Sequence, residues 1–310
     1  MHDDGYFDEV IASGYDDPVD FMNTSAAIDP AVDCLVDLAA GGRALEFAIG
    51  TGRIGLPLSR RGVEVHGIDL SRAMVERLQA KVGAEAIDVT IGDMTSTRVD
   101  GSFSLVYLVY NTIGNLTTQA GQVACFRNAS EHLVPGGCFV IEVGVPDLQR
   151  LPKGETFLVF DFGERHIGID EYDVVNQGLI SHHYDIDGEG IRGSSGPFRY
   201  VWPSELDLMA EMAGLRLRHR WGDWDRQPFT KLSDKHVSVW EKPAAHRQEG
   251  ETQVGSFIVG REAGAVPLGA AGEGHRPPLP CPTVLPGLLN TDFRSDRVVE
   301  RRCLRSAAIR

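Results

Sequence analysis

From residue 43 to residue 143, short apolar runs alternate with longer amphipathic stretches. Residues 43–49, 63–68, 87–91, 103–110 and 138–143 are mostly apolar and end in polar or glycine-rich segments, the pattern of strands buried on both faces of a parallel sheet. Between them, residues 53–61, 71–82 and 118–133 repeat apolar positions at helical spacing, and Ser71 stands at an N-cap position. Strands separated by helices imply βαβ units and a doubly wound α/β fold. Upstream, residues 1–40 look helical. Asp29-Pro30 reads as an N-cap followed by a first-turn proline, Ala31, Cys34, Leu35 and Leu38 recur at helical spacing, and Gly41-Gly42 ends the run.

Beyond residue 145 the period changes to two. Residues 156–162, 166–175, 179–186 and 198–201 read as antiparallel strands, followed by a helix over 203–213 and strands over 215–221 and 236–241. The expected architecture is a sheet of about seven strands closed by an antiparallel hairpin, with an antiparallel β insert at 156–201. Composition shifts near Pro243. Residues 244–310 are rich in Ala, Gly, Pro and Arg and keep no amphipathic period, so a single domain over 1–243 and a largely disordered tail are expected, with a short helix near 295–307.

Charge narrows the partners. A formal net charge of −14 repels nucleic acid and anionic lipid. No apolar run approaches the ~20 residues that span a bilayer, and the acidic first eight residues carry no signal-peptide pattern, so a cytoplasmic protein acting on a small molecule is expected. The five cysteines include no C-x-x-C pair, which argues against a disulfide framework and against a metal site. Nothing in the pattern sets an oligomeric state.

The strongest local signal is Leu45-Glu-Phe-Ala-Ile-Gly-Thr-Gly-Arg-Ile-Gly55, a strand running through glycines into a helix. Glycines there let the backbone turn sharply and approach a ligand, and a helix N-terminus favours an anion. Gly50-x-Gly52-x-x-Gly55 also fits the dinucleotide fingerprint, with Asp69 where a ribose-binding acid belongs. Three features favour another adenosyl ligand. Glu46 is a charge inside the first strand, costly unless it meets a ligand or a donor. Gly92-Asp93-Met94 ends the third strand with an acid and an apolar residue suited to an adenine. The antiparallel ending is unusual for a dinucleotide domain.

On these motifs the sequence resembles the class I S-adenosylmethionine-dependent methyltransferases, across roughly residues 6–242. The resemblance implies a Rossmann-like sheet, with the insert over the active site and S-adenosylmethionine as cofactor. It also implies that Glu46, Gly50, Thr51, Gly52 and Arg53 face the methionine part, and that Asp69 and Leu70 lie at the ribose. Met74, Asp93 and Met94 then hold the adenine, Tyr110, Asn111 and Ile113 border the sulfonium, and Tyr15 closes over the ligand. Ala48 stands where the family often has a first glycine.

Methyl transfer is an in-line displacement in which alignment does much of the work, and a base is needed only when the nucleophile must lose a proton. Candidate bases are Tyr110, His182, His183, Asp185 and Glu142. His182 and His183 are adjacent on a strand and point to opposite faces, so at most one lines a pocket. Trp221 and Trp240 read as core, while Trp224 is open to an aromatic-cage role. Acceptors in view are small amines or amino sugars, by N- or O-methylation. The rival readings are an NAD(P)-dependent oxidoreductase and a non-catalytic cofactor-binding protein.

Overall fold

The computed structural model describes residues 6–16, 21–188 and 190–244, and the expected disordered tail lies outside these apart from its first residue. The parallel strands are β1 (Ala44–Phe47), β2 (Val65–Asp69), β3 (Asp88–Ile91), β4 (Phe103–Leu108) and β5 (Leu133–Gly144). The insert supplies β6 (Phe157–Phe162), β7 (His166–Asp173), β8 (Gly178–Asp187) and β9 (Gly190–Arg199), and the chain closes with β10 (Arg216–Trp221) and β11 (Lys235–Glu241). The main sheet has seven strands in the order β10-β11-β5-β4-β1-β2-β3, and the insert is a separate four-stranded sheet in sequence order. β11 pairs antiparallel with β5, and β10 antiparallel with β11, which makes the closing hairpin.

β1 sits between β2 and β4, parallel to both. The chain therefore winds outward one way through β2 and β3 and the other way through β4 and β5. The crevice beyond the carboxyl ends of β1 and β4 is the switch point where open α/β sheets bind ligands.

The helices are α1 (Glu9–Gly14), α2 (Ser25–Ala39), α3 (Gly55–Arg60), α4 (Arg72–Gln79), α5 (Gln119–His132) and α6 (Pro203–Met212). One face of the sheet packs Leu105 and Tyr107 against Leu35 of α2 and Leu58 of α3. The other packs Phe47, Phe139 and Trp240 against Phe126 of α5 and Met209 of α6. The Phe126 ring meets Phe139 edge-on at 5.0 Å and Trp240 at 5.2 Å, favourable aromatic geometries. Trp240 and Trp224 are both buried in these cores, so Trp224 is packing, not part of an open aromatic cage.

Two elements depart from the sequence expectation. α2 begins at Ser25 with Thr24 as N-cap, so Asp29-Pro30 does not open it and Pro30 lies inside the helix. Burial of Ala31, Val32, Cys34, Leu35 and Ala39 outweighs the one backbone donor that proline lacks. The last insert strand is β9, not residues 198–201. Ile191-Arg-Gly-Ser-Ser-Gly196 looks like a loop by propensity, yet it pairs with β8 along its whole length as an edge strand, and pairing overrides propensity there.

Candidate active site

A cavity of about 300 Å³ opens at the switch point. Its floor is the β1 turn, where Ala48, Gly50 and Gly52 all have positive φ, at 52°, 57° and 78°. The Gly50 amide donates to Asp69 Oδ2 at 2.6 Å and the Ser71 amide to Asp69 Oδ1 at 2.8 Å. The Asp69 carboxylate at the end of β2 thus fixes both the glycine turn and the start of α4, where Ser71 caps Met74. A side chain at Gly52 is strained at its φ of 78°, and its Cβ would have to displace the Leu78 side chain of α4 and lie 3.2 Å from Leu56.

Glu46 is almost fully buried on β1 and accepts a hydrogen bond from the Tyr107 hydroxyl at 2.9 Å. Burial, only partly offset by that bond and by the nearby Arg53 charge, pushes its carboxyl up to about 8. A Cβ on Gly55 would come 2.8 Å from Glu46 Oε2, so the third glycine of the motif makes room for this acid. Glu46, Asp69 and Asp93, from the ends of β1, β2 and β3, all line the one cavity.

Arg53 lays its guanidinium on the Tyr110 ring, 3.1 Å from the centroid. Its Nη1 reaches the Met22 carbonyl at 3.4 Å, while Nε is buried with no hydrogen-bond partner. Tyr110 and Asn111 follow β4 with positive φ of 56° and 60°, unusual for side chains of this size, and the geometry is held from β5. Glu142 Oε2 accepts the Tyr110 amide at 3.2 Å, and Asn111 Oδ1 accepts the Gly144 amide at 2.6 Å. Lys235 in turn bridges Glu142 at 3.1 Å and Asp223 at 2.8 Å.

The N-terminal segment forms the lid. Thr51 Oγ1 donates to Asp16 at 2.6 Å, Lys81 pairs with Asp16 at 2.7 Å, and Arg77 pairs with Glu9 at 2.8 Å. Tyr15 packs with Phe7, Ala12 and Met74, and burial raises its hydroxyl above the ordinary range. Tyr6 meets Phe198 of β9 edge-on at 6.0 Å, so lid and insert touch over the cavity.

Of the residues expected from the sequence, Tyr15, Glu46, Gly50, Thr51, Arg53, Asp69, Leu70, Met74, Asp93, Met94 and Tyr110 line the cavity. Gly52, Asn111 and Ile113 stand behind the wall. Gly52 lies beneath Leu78, the Asn111 side chain is turned to Gly144, and Ile113 is wholly buried in the core.

Of the five candidate bases, Tyr110 lines the cavity and the other four do not. His182 and His183 lie on opposite faces of β8 and neither reaches the cavity. His183 Nδ1 is 3.1 Å from His166 Nε2, and His182 meets Ser195 at 2.8 Å and Glu171 at 3.4 Å. Asp185 is exposed on the same strand, and Glu142 is engaged by Lys235 and the Tyr110 amide. Tyr110 lines the cavity, but burial raises its hydroxyl above its ordinary value, so it keeps its proton at neutral pH. The lining also includes Tyr6, Phe7, Asn115, Thr117, Pro197 and Phe198, which sequence reasoning did not single out.

A methyltransferase-domain family model matches residues 44–137. The solved CcbJ methyltransferase from Streptomyces caelestis is 33% identical, with 78% of this chain and 100% of that chain covered and a TM-score of 0.69. Cypemycin N-terminal methyltransferase from a Streptomyces species is 24% identical over 245 residues, covering 78% of this chain and 100% of its own length. In fold, the chain is also similar to S-adenosylmethionine-bound CalS10, an amino pentose methyltransferase from Micromonospora echinaspora, at 21% identity and a TM-score of 0.55, with 78% of this chain and 100% of that chain covered.

Proposed function

This chain belongs to the class I S-adenosylmethionine-dependent methyltransferases, and from that premise we propose that it methylates an amine nitrogen of a small molecule. The observation that carries the nitrogen is the lining of the cavity, which among the described residues includes no histidine, lysine or cysteine. A hydroxyl acceptor needs a base near the transition state, whereas a neutral amine presents a lone pair without one. Tyr110 holds its own proton and Glu46 is engaged by Tyr107, so neither suits general-base work on a hydroxyl. The net charge of −14 draws an ammonium-bearing acceptor toward the protein, and the amine gives up its proton to solvent before transfer. The N-terminal methylation named for the cypemycin relative supports the same atom class.

The residues present fit the cosubstrate. Arg53 Nε is a buried donor lacking a partner, beside a glycine turn with room for a carboxylate. In this reading Arg53 and the Gly50-Thr51 turn take the carboxylate, and Glu46 answers the ammonium. Asp69 takes the ribose hydroxyls on lone pairs beyond those held by Gly50 and Ser71, with Leu70, Met74, Asp93 and Met94 about the adenine. S-adenosylmethionine, when bound, supplies a methyl group on a sulfonium. The chain's own task is to align and desolvate: the lid and β9 exclude water, and the Tyr110–Asn111 turn sets the wall next to the acceptor. The dinucleotide reading is set aside with the family. The insert over the cavity and the uncharged end formed by Tyr6, Leu116, Pro197 and Phe198 suit an acceptor with an apolar body.

Incubation with radiolabelled S-adenosylmethionine and paired acceptors, each amine matched by its alcohol analogue, tests the nitrogen assignment. Label on amines alone is expected, and label on alcohols alone overturns it.

A further inference from the structure

Arg199 ends β9 with its side chain buried, and its guanidinium ties three parts of the fold together. Nη2 donates to Glu205 Oε1 of α6 at 2.7 Å and to Gln177 Oε1, in the turn from β7 to β8, at 3.2 Å. Nη1 donates to Gln122 Oε1 of α5. The side-chain amides complete the knot. Gln122 Nε2 donates to the Arg199 carbonyl at 3.3 Å, Gln177 Nε2 to Glu205 Oε2 at 2.8 Å, and Gln119 Nε2 to Glu205 Oε1 at 2.7 Å. Burial alone would raise the Glu205 carboxyl, but the bonds from Gln177, Arg199 and Gln119 hold it below the usual carboxylate range, so it is ionised at neutral pH.

The knot meets two stretches of the cavity lining without lining it itself. Pro197 and Phe198, which line the cavity from β9, directly precede Arg199. Thr112, Asn115, Leu116 and Thr117 form the neighbouring stretch, and the short turn Thr112–Asn115 is held by Gln122, whose Nε2 also donates to the Ile113 carbonyl at 3.1 Å. The two stretches pack closely, since a Cβ on Gly114 would lie 3.4 Å from the Arg199 carbonyl oxygen. A buried ion pair adds little net stability over apolar residues of the same volume. What a guanidinium adds is geometry, because its donors lie in one rigid plane and reach several acceptors at fixed angles. We propose that Arg199 and Glu205 are positioning residues for the acceptor, which seat the β9 wall against the 112–117 wall and so set the size of acceptor body that the cavity takes. This rests on the placing of the acceptor's apolar body at this end of the cavity.

Two variants test it. Arg199→Lys keeps a charge beside Glu205 but loses the planar fork, and Arg199→Met/Glu205→Met removes both charges so that neither is left stranded. The probes are the amine labelled fastest in the amine and alcohol panel and its homologue with one more methylene on the apolar body. Wild type should favour the parent by about tenfold or more in kcat/KM, and both variants should bring that ratio to within about threefold, through KM. Calorimetric affinity for S-adenosylhomocysteine should stay within about twofold. Hydrogen exchange needs no acceptor. Amides of 112–117 and 197–200 should exchange ~10-fold faster or more in both variants, with those of β1 and β2 unchanged. A size ratio that the variants leave as in wild type overturns the proposal, even where the melting temperature falls, and so does unchanged exchange at these amides. If the panel labels alcohols alone, the same ratio is read on the alcohol pair, so the nitrogen assignment fails separately from this inference. If it labels nothing, the exchange rates decide.

Discussion

The Gly50 amide and the Asp69 carboxylate meet at 2.6 Å, so the turn after β1 and the end of β2 hold each other in place. The same carboxylate accepts the Ser71 amide and walls the cavity. Asp69→Ala therefore removes a ligand contact and leaves buried donors unpaired. Titration calorimetry with S-adenosylhomocysteine should show affinity weakened by ~1–3 kcal/mol, with Asp69→Asn intermediate because it still offers one acceptor oxygen. An unchanged dissociation constant in the alanine variant would contradict the assignment.

Glu46 gives a pH signature. Its carboxyl moves from an ordinary 4.5 in the unfolded chain up to about 8 in the folded one. Between those values the native state binds a proton that the unfolded state lacks, so stability is greatest at the acid end of the window and falls as pH rises through it. Glu46→Gln should flatten that decline, an effect on the order of a few kcal/mol, seen as a melting temperature that no longer drops between about pH 5 and 8. A parallel decline in wild type and variant argues against it.

The Glu142–Lys235 pair acts through Tyr110. Glu142→Ala leaves the Tyr110 amide without its acceptor in a left-handed conformation. The expected cost is ~1–3 kcal/mol, or several degrees in melting temperature, together with a lower kcat. Glu142→Gln keeps an oxygen for the amide and should recover most of the kcat. Equal kcat in wild type and alanine variant would show that the Tyr110 wall does not depend on this acid.

Phe198 and Tyr6 line the cavity from β9 and the N-terminal segment, where the proposed function puts the acceptor. Phe198→Ala should raise the acceptor KM about tenfold or more, the equivalent of 1.4 kcal/mol, while calorimetric affinity for S-adenosylhomocysteine stays within about twofold. A comparable loss in both would place Phe198 in the cosubstrate site.

Much of this was legible in the sequence because it is local. The glycine turn, Asp69 and Gly92-Asp93-Met94 stand at strand ends, and the period of the apolar runs orders the strands that bring them to one edge. Gly55 could be read as a dinucleotide glycine, whereas its place is explained by the Glu46 carboxylate packed against it. What escaped depends on contacts distant in sequence. Tyr6 and Phe198 lie at opposite ends of the domain and meet only across the cavity. β9 is held by its partner strand against its own composition, and Pro30 is carried by the buried face of α2. The histidines of β8 were attractive as bases by residue type alone, and strand alternation turns one to the outer face and the other into a buried network away from the cavity.

The most direct measurement is a crystal structure of the full chain with S-adenosylhomocysteine. The account predicts its ribose hydroxyls on the Asp69 carboxylate, its amino-acid end between Arg53 and Glu46, and its sulfur facing Tyr110. A ligand bound elsewhere, or bound in this cavity without contact to Asp69, would contradict it.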